Sequence, residues 1–285
     1  MKEKEFYIKY KIDSQNNLFY ILKMSAEQFT YLSNKNPHER DDHIEFDEPT
    51  HVYTIDGDSN YMSVTTFNHA NFEHFDADKI IANMMKSHRW PQSKYYGQTP
   101  EEIKAGWDKN RDEASTAGTA MHLDIEKFYN KVPVQNDSIE FAWFMNFHEM
   151  FKDSLEPWRT EMMVWDKDYR LAGSVDMIYE DPETGELSIY DWKRCREIKK
   201  TDGFGKCGKK ECIEHLPDTN YWHYCLQLNT YKHLIEKNYG KKVKEMYLVC
   251  LHPNNKNKNF QRIKVCDLSQ EVNDLLQLRK DDLNK

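Results

Sequence analysis

The sequence predicts an α/β domain, on three observations. Two short apolar runs rich in Val, Ile and Tyr, 171–179 and 187–192, flank the turn chemistry of Asp181-Pro-Glu-Thr-Gly185 and read as a β-hairpin. Helical patterns lie on either side of it, at 116–130 and 221–239, and a buried strand candidate, 245–251, follows the second of them. The order helix, strand hairpin, helix, strand is that of an α/β domain.

From the N-terminus, alternating Tyr, Ile and Phe around Ser14-Gln-Asn-Asn17 indicate a small hairpin, followed by a short helix from about Ser25. A polar, acidic stretch at 34–42 reads as a linker, so residues 1–42 are expected to form an N-terminal extension and 43–285 the main domain. His51-Val-Tyr-Thr-Ile55 and Asp56-Gly-Asp-Ser make a strand and turn leading to Ser63-Val-Thr-Thr-Phe67. The first helix carries Ala117, Ala120, Met121, Leu123 and Phe128 at helical intervals and stops before Pro133. The second follows Asp218-Thr219-Asn220, a good N-cap region, and ends at Gly240. A strand at 261–265 can pair with 245–251 across Pro253-Asn-Asn-Lys-Asn, and the last twenty residues read as a helix.

A mean hydropathy of −0.92 with 31% charged residues describes a soluble chain. No apolar run approaches the roughly 20 residues that span a bilayer. Met-Lys-Glu-Lys-Glu-Phe resembles neither a signal nor a transit sequence, which makes an intracellular protein the expectation, with no membrane partner. The net charge of −8 argues against a protein that coats nucleic acid over its whole surface. Residues 193–210 nevertheless hold eight Lys or Arg against only Glu197 and Asp202, a local basic track or a solvated loop. The six cysteines do not have the spacing of a secreted disulfide framework. Cys207, Cys212 and His215 would need Cys195 or Cys225 to complete a structural zinc site, and neither spacing nor symmetry supports one.

The chemistry concentrates in Gly173-Ser-Val-Asp176 and Ile189-Tyr-Asp191-Trp-Lys193. Side chains alternate along a strand, so Asp191 and Lys193 share one face while Trp192 points to the other. Two aspartates suit a hard divalent ion, which polarises a phosphate and lowers the pKa of a bound water, and a nearby ammonium can orient that water or neutralise developing charge. His122 and Glu126, four apart on the first helix, share a face. An imidazole beside two aspartates moves metal preference from Mg²⁺ towards Mn²⁺, and Glu126 could support it from behind. Taken singly, His122 also fits a packing or surface role, and Glu161, on the strand before the hairpin, is an ordinary acid. Gln227 and Tyr231, again four apart, fit either packing or contact with a phosphate or base.

The succession Gly118-Thr-Ala-Met-His122-x-x-x-Glu126, Glu161, Gly173-Ser-Val-Asp176, Asp191-Trp-Lys193 and Gln227-x-x-x-Tyr231 resembles the RecB-like branch of the PD-(D/E)XK nucleases over residues 63–265. Asp191-Trp-Lys-Arg194, His215-Leu-Pro-Asp, Tyr221-Trp-His-Tyr and Leu251-His-Pro-Asn-Asn bring it close to the mitochondrial genome maintenance exonuclease and to single-domain RecB-like proteins of large DNA viruses. The resemblance implies a restriction-endonuclease-like core, a central mixed β-sheet flanked by helices, with one or two Mg²⁺ or Mn²⁺ ions. It implies His122, Asp176, Asp191 and the Trp192 carbonyl as metal ligands, Lys193 as the catalytic lysine and Glu161 as a neighbouring acid. Gln227, Tyr231, Glu126 and Arg194 then belong to the substrate side, as do Ser63, Thr65 and Thr66; by its charge and its position before the first helix, Arg111 is a candidate to hold a terminal phosphate. The implied activity is hydrolysis of DNA phosphodiesters, as an exonuclease on single strands or ends. An RNA endonuclease of the cap-snatching or host-shutoff type, or a catalytically silent nucleic-acid scaffold, are the alternatives. The iron–sulfur members of the branch have a cysteine before the histidine motif, whereas no cysteine precedes Cys195 here, so no cluster is expected. The first forty-odd residues match no motif, and whether they bind a protein partner is open.

Overall fold

The computed structural model describes residues 29–201 and 203–285. The hairpin expected near the N-terminus, and the start of the helix after it, lie outside the described residues. The first described element is α1 (Tyr31–Lys35), whose Leu32 packs into a core cluster and donates its N–H to Asn130 Oδ1 at 3.1 Å. The stretch read as a linker is fastened down. Asn36 donates to the Trp158 carbonyl at 2.8 Å, Asp41 pairs with Arg159 at 2.7 Å, and the Arg40 guanidinium lies 3.5 Å over the Trp165 ring. Its polar residues meet groups of the distant strand at 156–166, so polarity here does not mean freedom.

Strands β1 (Ile44–Asp47) and β2 (Val52–Ile55) form a separate antiparallel ribbon that rests Ile44, Tyr53 and Ile55 on Trp165 and Ala172. After β3 (Met62–Ser63), the Ser63 hydroxyl caps α2 (Val64–His69) by accepting from the Thr66 N–H. Helix α3 (Ala77–Lys86) leads to α4 (Pro100–Tyr129). The predicted helix thus begins at Pro100 rather than 116. Thr99 and Glu102 form a reciprocal capping box, with Pro100 in the first turn, where its missing N–H costs nothing. Helix α5 (Ile139–Phe151) had no counterpart in the sequence patterns, because apolar side chains occupy most of its circumference and blur its period.

The main sheet is built from β4 (Glu156–Asp166), β5 (Leu171–Glu180), β6 (Leu187–Lys193), β7 (Val243–Cys250) and β8 (Gln261–Lys264), together with β3. The hairpin β5–β6 is antiparallel as expected, and Asp181 closes its turn by accepting from the Glu183 and Thr184 N–H groups. Strands β6 and β7 are parallel, so a crossover must join them, and α6 (Asn220–Asn238) supplies it. Gly240 ends that crossover at φ +61°, a conformation that glycine adopts without strain. The β7–β8 pair is antiparallel, and α7 (Ser269–Leu283) closes the chain.

Helices cover both faces. Val164, Val175, Ile178, Ile189 and Leu248 pack with Leu228 and Ile235 of α6 and Leu276 of α7. On the opposite face Met177, Tyr179, Tyr190 and Trp192 meet Met121, Ile125 and Tyr129 of α4 and Trp143, Phe144 and Phe147 of α5. This is the mixed sheet flanked by helices that the resemblance implied. Among the described residues, no helix is long and apolar enough to cross a membrane.

Candidate active site

The site occupies a gap in the sheet. Strand β4 lines one edge of β5 from Leu171 to Glu180, so β3 and β6 must share the other edge. There β3 pairs only with Leu171 and Ala172, and β6 only from Met177 onward. Residues 173–176 lie between them without a strand partner on that side. The backbone groups facing the gap are met by side chains. The Trp192 N–H donates to Asp176 Oδ2 at 2.9 Å, and His122 Nε2 donates to the Trp192 carbonyl at 2.8 Å. Because a carbonyl only accepts, this bond places a proton on Nε2. Nδ1 then faces Asp176 Oδ2 at 3.6 Å and Glu161 Oε1 at 3.8 Å.

Three carboxylates form a row across three strands. The β4–β5 register sets Thr160 against Met177 and Met162 against Val175, which puts Glu161 opposite Asp176. The β5–β6 register ends at Met177 against Tyr190, which puts Asp176 opposite Asp191 one step further. At this row the strands break the alternation rule. Thr160 and Met162 should share a face, yet Thr160 bonds Asn130, the C-cap of α4, while Met162 lies in the core under α6. Met177 and Val175 divide between the two faces in the same way. The switch falls at Glu161, whose φ of +42° is a strained value for a residue with a side chain. Such strain costs on the order of 1–3 kcal/mol and persists only where the surroundings impose it. Ser174 holds the carboxylate by donating to Oε2 at 2.8 Å.

Like charges facing one another across strands oppose folding. Burial, and then the neighbouring Asp191, push the Asp176 carboxyl up to about 7. Burial works against a charged His122, but Asp176 and Glu161 outweigh it and raise the imidazole to about 9. Lys193 supplies the compensating charge, with Nζ 2.6 Å from Asp191 Oδ2, and Asp191 is only 2% exposed. Burial disfavours the ammonium, yet Asp191 and Asp176 together raise its pKa. Burial, followed by Glu161 and Glu48, pushes Glu126 up to about 8. It extends the acidic cluster one helical turn beyond His122.

The sequence-predicted residues do not all meet here. His122, Glu161 and Asp176 converge, with ligand atoms within 4.8 Å of one another. Asp191, expected as a ligand, is engaged with Lys193, and Glu161 stands in the group instead. The Trp192 carbonyl accepts from His122. Arg111 lies inside α4 rather than before it, paired with Asp108 and Asp112, and about 16 Å along the axis from His122. It is not part of the site. Tyr231 is 3% exposed, so its ring has no face for a base, and its hydroxyl meets Gln227 Nε2 at 3.3 Å. Gln227 also approaches Thr65 Oγ1 at 3.5 Å, which links α6 to the exposed start of α2. Ser63 and Thr66 use their hydroxyls on each other in the cap, and Arg194 is bound to Glu140 at 2.7 Å.

In the sequence Ser174 and Gly173 stand in a motif and 51–55 reads as a strand, but neither residue nor the β1–β2 ribbon has a predicted role in the site. The Tyr53 hydroxyl of the ribbon lies beside the Ser174 backbone, and Glu48 lies in the ribbon's turn. No local motif marks these contacts, since they join distant segments. Gly173 has a steric reason: a Cβ there would stand 2.8 Å from Tyr231 Cε1 and 3.0 Å from its hydroxyl. Gly173→Ala is expected to push the tyrosine off β5 and to cost about 1–3 kcal/mol in chemical denaturation, with lowered activity from the displaced Gln227.

One imidazole nitrogen with carboxylate oxygens is a donor set for a hard or borderline divalent cation. Ligands at about 2.1 Å from one ion lie at most about 4.2 Å apart, a span that includes the 3.6 and 3.8 Å separations at His122. The residues therefore fit such an ion, and a lysine beside them gives the composition of a hydrolytic phosphate site. A model of the PD-(D/E)XK nuclease superfamily matches residues 139–283, which include Glu161, Asp176, Asp191 and Lys193, and the chain belongs to that superfamily. Among solved structures, a protein of Eubacterium rectale provisionally described as an exonuclease is similar at 12% identity, over 79% of each chain, with a TM-score of 0.35. SSO0001 is similar at 12% identity over 93% of this chain and 87% of its own, with a TM-score of 0.34. No curated protein matches the chain.

Proposed function

We propose that this chain is a Mg²⁺- or Mn²⁺-dependent deoxyribonuclease that acts as an exonuclease on single-stranded DNA or DNA ends. The observation that carries this reading is the strained row of Glu161, Asp176 and Asp191, met by His122 on one side and Lys193 on the other. Superfamily membership supports the nuclease; the substrate and mode of attack are inferences from the site. His122 Nδ1, Asp176 and Glu161 would hold the ion, with Asp191 and the Trp192 carbonyl beside them. When bound, such an ion polarises the phosphate and lowers the pKa of a water. Lys193, held by Asp191, is placed to neutralise charge that builds on the phosphate as attack proceeds. The Trp192 carbonyl holds a proton on His122 Nε2, so Nδ1 is the nitrogen that would give up its proton to a metal ion. Gln227, with Thr65, offers an amide and a hydroxyl to the strand on the α6 side.

Matched DNA and RNA oligonucleotides, single-stranded, duplex and circular, distinguish the alternatives. The expected result is release of mononucleotides or short products from linear single-stranded DNA, dependent on Mn²⁺ or Mg²⁺, with circles resistant. Preferential internal cutting of RNA would overturn the substrate assignment.

A further inference from the structure

A second surface stands away from the acidic row. Between Ile103 and Met121 no residue of α4 is buried, so the helix projects from the core and carries α3 and the segment after it outward. The arm is held together by Ile81 and Ile103, each 1% exposed, and by Trp107 Nε1 donating to the Tyr95 hydroxyl at 2.8 Å. Residues 86–98 contain Lys86, His88, Arg89 and Lys94 and no acid, although the chain as a whole carries −8. Interleaved with them are Trp90 and Tyr96. Tyr96 is 60% exposed, and the two rings meet edge to face at 5.9 Å, so neither stacks on the other. A cavity of about 270 Å³ opens beside Trp90 and Arg89, lined also by Met84, Ser87, Gln92 and Ser93.

We infer that this arm is a binding platform for single-stranded DNA, with Trp90 and Tyr96 stacking on unpaired bases and Arg89 and Lys94 meeting phosphates. The exposed Tyr96 ring and the half-buried Trp90 ring beside it leave apolar surface for something to cover, and cations without acids in the same segment favour a polyanion with flat apolar faces. A duplex keeps its bases stacked on one another and offers the rings nothing. Trp107, against which the arm packs, precedes His122 by 15 residues of continuous helix, about 22 Å at 1.5 Å per residue. A strand held on the arm therefore reaches the acidic row only if it is several nucleotides long. The platform would hold the substrate between cuts and make activity depend on length. This inference rests on the reading of the acidic row as a deoxyribonuclease site.

The test uses the full chain, with fluorescence anisotropy of labelled oligothymidylate in EDTA and cleavage in Mn²⁺ measured separately. Trp90→Ala with Tyr96→Ala is expected to weaken binding of a strand of about 20 nucleotides by about tenfold or more. KM on that strand should rise in parallel at unchanged kcat, while cleavage of a strand of about four nucleotides stays as it was. Arg89→Gln with Lys94→Gln should lower the slope of log affinity against log salt by about 1–2. If the aromatic pair disturbs folding, judged by circular dichroism, Tyr96→Ala alone with the charge variant carries the test. Variants that bind and cleave long strands as the parent does would overturn the platform and leave the nuclease standing. A parent that binds through the arm, with binding lost in the variants, but never cleaves would sustain the platform and sink the nuclease.

Discussion

Asp176→Asn is expected to reduce cleavage by at least about a thousand-fold, about 4 kcal/mol in the transition state, and at the same time to raise the melting temperature of the protein in EDTA. The two effects have one cause. Asp176 sits between Glu161 and Asp191 in a row of carboxylates, and the folded chain carries that repulsion at a site where burial already disfavours charge. An asparagine keeps an oxygen for the Trp192 N–H and removes the charge. A gain of about 1 kcal/mol corresponds to about 2–4 °C in a domain of this size. Function and stability oppose each other here. Differential scanning fluorimetry, with and without Mn²⁺, checks both halves: Mn²⁺ should stabilise the parent and leave the variant unmoved.

Lys193→Ala is expected to lower cleavage about 10²- to 10³-fold while Mn²⁺ still binds, because the lysine contributes a charge and no ligand atom. Its loss removes a cation that competes with the metal for the same acids, so affinity for Mn²⁺ should hold or tighten. The substitution also strands Asp191, which is buried and 2.6 Å from the ammonium, and stability should fall by about 3 kcal/mol or more. Lys193→Arg restores the charge but spreads it over a planar fork, so it should recover most of the stability and little of the activity. Urea denaturation read beside single-turnover cleavage separates the two losses.

Much of the fold was legible in the residues themselves. The hairpin at 171–192, the crossover helix and the strand after it follow from period and turn chemistry, and they set Asp176 and Asp191 side by side. Trp192 alternates into the core as its position demands, which leaves Lys193 on the α6 side near the Tyr224 ring. The start of α4 was also present in the sequence, in Thr99-Pro-Glu-Glu102, a capping box that a search for apolar periodicity passes over because the middle of the helix buries nothing. That omission misplaced Arg111. Other features had no local signal. Alternation assigns every residue of β4 and β5 to a face, and the positive φ at Glu161 reverses the assignment where the acids meet. Sequence rules fail at this point because the chain is held in a conformation its local preferences oppose, which is where a functional site is expected. Tyr231 illustrates the converse. Chemistry made it a candidate for stacking, and packing over Gly173 buried it.

Glu161, Asp176, Asp191, Lys193 and His122 are proposed to act together as one metal-dependent site for cutting DNA. End-labelled single-stranded DNA incubated with the parent and with Asp176→Asn, purified side by side, in Mn²⁺ and in EDTA, decides whether they do. The parent should cleave in Mn²⁺ alone, and the variant should show no cleavage above background. Cleavage by Asp176→Asn at the parent's rate, or a folded parent that cuts nothing in Mn²⁺ or Mg²⁺, would contradict that proposal.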